Sequence, residues 1–175
     1  DEYGHGSCMM GADYFSLAFP AICFNAQKNY LLGWYSDYQI TVDPATNGAW
    51  SGKLVSFVDY PKASTLNNAY VLIVVGQLYI QYNLAESFNF QVFEQANKVT
   101  IVAATSSTSK SNLLGGFSAG QTFMSGLFSI DICGLVVENG LIPKHMIISI
   151  RLTTQKSTCP GATAAPAKSP ISTLP

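Results

Sequence analysis

The stretch Ala69-Tyr70-Val71-Leu72-Ile73-Val74-Val75-Gly76-Gln77-Leu78-Tyr79-Ile80-Gln81-Tyr82-Asn83 decides how the fold is read. Ala69 to Val75 is short, continuously apolar and rich in β-branched residues, which is what a central strand covered on both faces requires. Gly76-Gln77 supplies a hairpin turn, and Leu78 to Tyr82 returns as the next strand. Upstream, Tyr38 to Val42 alternates, Asp43 to Gly48 is a turn cluster, and Ser51 to Val58 alternates again through Leu54 and Phe57. Downstream, Lys98 to Ala104 reads as a strand and Thr105 to Asn112 as a polar loop. Phe117 to Met124 and Leu127 to Cys133 are weaker strands, with Val136-Val137 extending the second and Asn139-Gly140 turning the chain. His145 to Thr153 sets Met146, Ile148, Ile150 and Leu152 on one face. About seven or eight short strands at roughly ten-residue spacing imply a mainly β fold, an antiparallel β-sandwich.

Composition narrows the class. The chain has 175 residues, enough to bury a sizeable core, yet only 11% are charged. That is well below the roughly one quarter usual in soluble domains. A formal net charge of -1 argues against nucleic acid, whose phosphates call for a basic face. The longest apolar run, Ala69 to Val75, is far short of a helical membrane span. Cys8, Cys23, Cys133 and Cys159 have no Cys-x-x-Cys spacing, and an even count in a charge-poor chain fits disulfides in an oxidising compartment. Four cysteines allow three pairings, and nearness in sequence favours Cys8 with Cys23 and Cys133 with Cys159. From Ser157 the composition turns to Pro, Ala, Ser and Thr, as in an extended linker or tail.

The N-terminal segment carries the most specific pattern. Tyr3-Gly4-His5-Gly6-Ser7-Cys8-Met9-Met10-Gly11 is a tight turn, followed by Cys23, by Asn25-Ala26 opening a short helix, and by Gly33-Trp34 closing it. Further on come Tyr79, Gln81-Tyr82-Asn83 and Phe88-Asn89, then the strand Val99 to Val102. In this order the motifs resemble the region around the methionine turn of the gametolysin-type zinc metallopeptidases. Tyr3, Gly4, Ser7, Met10 and Gly11 fall on that turn, and the likeness spans roughly residues 2 to 102. His5 departs from it, standing where the family has an acid.

The resemblance implies a secreted metalloendopeptidase acting on matrix or cell-wall glycoproteins, of which this chain is the C-terminal portion. The His-Glu-x-x-His zinc motif of that family is absent from the sequence, so zinc is expected in the full-length enzyme and none on this chain alone. Met10 is then the structural floor beneath the metal, and no residue here is catalytic. Three regions follow: a metallopeptidase remnant at 1–36 with methionine turn and helix, a β-sandwich at 37–156, and a tail at 157–175. The partner is the upstream peptidase half. The alternative is a non-catalytic extracellular subunit derived from such a peptidase, contacting neighbouring subunits of an assembly.

Individual residues sharpen or weaken these readings. His5 is the one candidate zinc ligand in the turn, but a catalytic zinc takes about three protein ligands. The other histidine, His145, near a strand start, is expected as a surface or strand-edge residue. The carboxylates are scattered, and Ser7 beside His5 lacks the setting of a nucleophile. Trp50 and Tyr79 are candidates for stacking a sugar ring, against the alternative of packing within the sandwich.

Overall fold

The computed structural model describes residues 24–105, 110–138 and 141–159. The methionine-turn residues Tyr3, Gly4, Ser7, Met10 and Gly11, the candidate ligand His5, and the pair Cys8 and Cys23 lie outside the described residues. Within them the protein is mainly β, with two five-stranded sheets.

The first described element is the helix α1, Ala26–Leu31. Asn25 caps it by accepting from Lys28 N at 3.1 Å. It stops where Gly33 turns left-handed, φ 69°, with Gly33 N donating to Tyr30 O and Trp34 N to Asn29 O. This paired closure is what the sequence expects of a glycine just past a helix end.

The first sheet contains β1 (Gln39–Thr41), β4 (Leu72–Val75), β5 (Leu78–Asn83), β6 (Lys98–Ala103) and β7 (Asn112–Phe117), in the order β1-β4-β5-β6-β7. The second contains β2 (Trp50–Val55), β3 (Ala69–Tyr70), β8 (Thr122–Ser125), β9 (Phe128–Val136) and β10 (His145–Leu152), in the order β3-β2-β10-β9-β8. The central hairpin β4–β5 forms as read, with Val75 opposite Leu78.

Several expectations need correction. The run Ala69 to Val75 is not one strand: β3 pairs with β2 in the second sheet, and after Val71 the chain enters the first sheet as β4. Val71 N donates to Tyr38 O at 2.8 Å at this crossing. A strand passing from sheet to sheet through the interior is apolar throughout, as is a strand covered on both faces. The pairing is also not wholly antiparallel, since β1 runs parallel to β4 and β2 parallel to β3. Phe117 to Met124 divides into the end of β7 and β8, because Ser118 and Gln121 close a turn between them. The predicted strand Ser51 to Val58 stops at Val55, and Phe57–Thr65 forms a 3-10 helix. Its start is capped by Ser56, which accepts from Val58 N.

Alternation places one face of each sheet inward. Ile73, Ile80, Tyr82 and Ile101 from the first sheet and Leu54, Ile130, Ile148 and Ile150 from the second belong to a single buried cluster. Full burial of each such aliphatic side chain is worth about 1.5–3 kcal/mol, making this shared interior the main source of stability. At one margin the chain crosses from β7 to β8, and Phe117 and Phe123 pack edge to face there, 5.5 Å apart.

Both outer faces carry covers. Helix α1 lies on the first sheet, with Ala26 among Leu72, Val74, Tyr79 and Val102 and with the Tyr30 ring on Tyr79. Packing is therefore continuous across the boundary expected after residue 36. On the second sheet, residues 153–159 fold back over β9 and β10, and Cys159 is disulfide-bonded to Cys133. The first residues of the expected tail thus belong to the folded body.

Candidate functional site

The outer face of β5 is polar where the alternation demands it, but its polar residues are buried. Gln81 and Asn83 point away from the interior, yet are 2% and 4% exposed. Asn29 of α1 donates to Gln81 Oε1 and to Phe24 O, both at 3.0 Å, which ties the helix to the strand. Asn25 reaches Ser111 Oγ at 2.9 Å. Thr100 of β6 donates to Gln81 O at 3.2 Å.

Asn83 governs the loop that follows. Its Nδ2 donates to Glu94 O and Gln95 O at 3.2 Å, and its Oδ1 accepts from Asn89 Nδ2 at 2.9 Å. Asn89 also donates to Leu84 O, and Asn97 Oδ1 accepts from Ala85 N. Residues 84–97 are thereby closed on themselves, with Ser87, Gln95 and Asn97 in the left-handed region. Burying amides is favourable only when they are bonded. In this cluster Gln27, Asn29 Oδ1, Gln81 Nε2 and Asn89 Oδ1 are buried without a partner.

What the loop presents is aromatic. Phe88, Phe90 and Phe93 are 46%, 58% and 60% exposed, and Phe88 leans on the buried Phe57 at 5.9 Å. Ser56 bridges to Tyr82, while Val55, His145 and Val136 stand in register. Segments 57–65 and 84–97, and the described residues on either side of 139–140, therefore lie at the same end of the sheets. Lys144 of the last segment pairs with Glu86 of loop 84–97, and Val137 and Leu141, on the same segment as Lys144, are exposed. Beneath this end, burial with help from Glu86 and Asp59 pushes the Tyr82 phenol up to about 12.

A second polar centre lies on the outer face of the other sheet. The Asp131 carboxylate accepts from Thr122 Oγ1 (2.8 Å), Arg151 Nε (3.0 Å) and Ser157 Oγ (2.8 Å). Burial alone would raise its pKa. Hydrogen bonds from Arg151, Ser157 and Thr122 outweigh that effect and hold it below the usual carboxylate value. With Ser129 Oγ also on Oδ1 at 3.3 Å, each carboxylate oxygen accepts two hydrogen bonds, so this centre anchors the chain.

The positions expected from the sequence distribute as follows. Tyr79 is buried beneath Tyr30, and Trp50 is half-buried against Tyr70 at 5.8 Å. The aromatic rings that face solvent at this end are phenylalanines of the loop. His145 is not at the surface: it is 2% exposed in a central strand, its Nδ1 3.0 Å from Pro143 O. Cys133 and Cys159 are joined as expected. Among the described residues no three or more His, Cys, Asp or Glu side chains come together to hold a metal ion. The buried amides were missed because Asn and Gln score as surface residues. Their recurrence at Gln27, Asn29, Gln81, Asn83 and Asn89 was the available signal.

Compared with known proteins, the chain matches no family model, no curated protein and no solved structure.

Proposed function

We propose that this chain is the C-terminal part of a secreted gametolysin-type zinc metalloendopeptidase, its two sheets layered as a β-sandwich that supports the catalytic half. One observation carries the reading. The residues behind the resemblance are far apart in sequence yet form one connected unit: Asn25 caps the helix, Ala26 packs against Tyr79, and Asn83 holds Asn89. Asn29 adds the bond from that helix to Gln81. The order of motifs along the sequence thus coincides with the contacts that seat α1 and close loop 84–97. The disulfide Cys133–Cys159 suits a protein that matures in an oxidising compartment.

The described residues do not fit the zinc itself. His145 is buried beside Pro143 O, and the carboxylates have no companion donors arranged around a common point. Ligands and catalytic groups would come from outside the described residues, and no chemical step is assigned to this body. The test is the full-length translation product: zinc content, and hydrolysis of matrix glycoprotein or gelatin with and without chelator. About one zinc per chain and chelator-sensitive hydrolysis are expected. A metal-free, inactive full-length product would overturn the assignment.

The second reading, a non-catalytic extracellular interaction subunit, is favoured by the exposed Phe88, Phe90 and Phe93 on a loop fixed by buried amides. It expects that replacing these rings with serine weakens assembly with neighbouring subunits and leaves hydrolysis untouched.

A further inference from the structure

We propose that residues 153–159 form a strap that reduction releases while both sheets stay folded. The segment adds no strand to either sheet and no side chain to the shared interior. Apart from the disulfide, polar contacts hold it. Thr153 N donates to Leu127 O, Arg151 Nη1 to Gln155 O at 2.7 Å, and Ser157 to Asp131. Ser149 and Thr158 share a 2.7 Å hydroxyl bond. Several of these groups are half-exposed, where water competes for each bond.

The covalent anchor sits at an irregularity. Cys133 is the extra residue between Ile132 and Gly134 where the β9–β10 register shifts, so its side chain leaves the sheet without displacing an inward-facing neighbour. Both cysteines are half-buried, within reach of a small dithiol. Attack by a dithiol breaks the S–S bond. Two electrons and two protons pass to Cys133 and Cys159 as thiols, and the reductant becomes a cyclic disulfide. With both sheets folded the bond tethers only the short segment after β10, a constraint worth on the order of tenfold or more in the opening equilibrium. Its loss leaves a strap held by bonds that each compete with water, and opening it bares Asp131, Ser149 and Arg151.

The experiment compares the intact oxidised chain with the same chain in dithiothreitol under native conditions. Deuterium exchange is followed by peptide, together with tryptic cleavage after the exposed Lys156. Expected on reduction are exchange in 153–159 at least about tenfold faster, faster cleavage after Lys156, and β9 and β10 amides protected as before. The double variant Cys133→Ser, Cys159→Ser should match the reduced protein without any reductant. Unchanged exchange in the strap would overturn the proposal. So would β9 and β10 opening along with it, because the bond would then staple the whole sheet.

Discussion

Replacing Asn83 tests the amide network most directly. Its side chain makes three hydrogen bonds, to Glu94 O, to Gln95 O and from Asn89 Nδ2, in a site 4% exposed. At about 1 kcal/mol net for each bond, Asn83→Ala should cost about 3 kcal/mol. The loss should begin locally, because the partners of those bonds, Asn89, Glu94 and Gln95, lie on loop 84–97 outside the shared interior, which the loop enters only through Leu84 at its start. Urea unfolding gives the total, and deuterium exchange should find residues 84–97 opening before β5 and β6.

Asn83→Asp adds a test of sign. An ionised carboxylate would still accept from Asn89 but would face the carbonyls of Glu94 and Gln95, where a donor is required. The folded state therefore favours the protonated acid, so the folded pKa rises above its unfolded value of about 3.9. Between those two values the folded state binds more protons, and stability falls as pH rises. Asn83→Asp should lie nearer wild type at pH 4 than at pH 7. A cost below about 1 kcal/mol for Asn83→Ala, or a pH dependence of opposite sign for Asn83→Asp, would refute the role given to this side chain.

Other perturbations read other parts of the structure. The Asp131 carboxyl is lowered in the folded state, so its stabilisation is present above the unfolded value of about 3.9 and is lost as pH falls through the folded pKa. Asp131→Asn should flatten the acid limb of the stability curve, followed by thermal melts between pH 2 and 7 at roughly half-unit steps. Gly52→Ala places a methyl carbon 2.5 Å from the Trp50 ring, which lies across Gly52, and the ring must move outward. A cost of about 1–3 kcal/mol and a red-shifted tryptophan emission are expected. Asn25→Ala removes the α1 cap and the bond to Ser111, for a loss of about 1–2 kcal/mol by chemical denaturation.

Legibility followed the physics of each element. The hairpin through Gly76-Gln77 and the inward face of β10 were readable because alternation and turn chemistry agree there. β7 was missed because Leu113-Leu114-Gly115-Gly116 has weak strand propensity, and its place in the sheet comes from pairing with β6. Phe57–Thr65 was read only at its strand-like start, because Pro61 and the following polar residues give no helical period. His145 was misplaced because imidazole is usually exposed. Here its strand is central, between Val55 and Val136, and burial follows from position and not from side-chain type.

The low charge, 11% of residues, is accounted for by the same two covers that define the candidate sites. A sheet with one face to water ordinarily lines that face with charged residues. In the first sheet that role is removed by α1 and loop 84–97, which bury Tyr79, Gln81 and Asn83. In the second it is removed by the strap, beneath which Ser129, Asp131 and Ser149 are buried. Amides and hydroxyls suit most of these positions because their desolvation penalty is smaller than that of full charges, and the buried carboxylate, Asp131, is held by its pair with Arg151. The covers end at the loop end of the body, and there Phe88, Phe90 and Phe93 emerge unshielded. Where those rings meet a partner, Phe90→Ser and Phe93→Ser should alter assembly without altering the melting temperature, because the amides that shape the loop are untouched, whereas Phe88→Ser also gives up its contact with the buried Phe57 and should lower it.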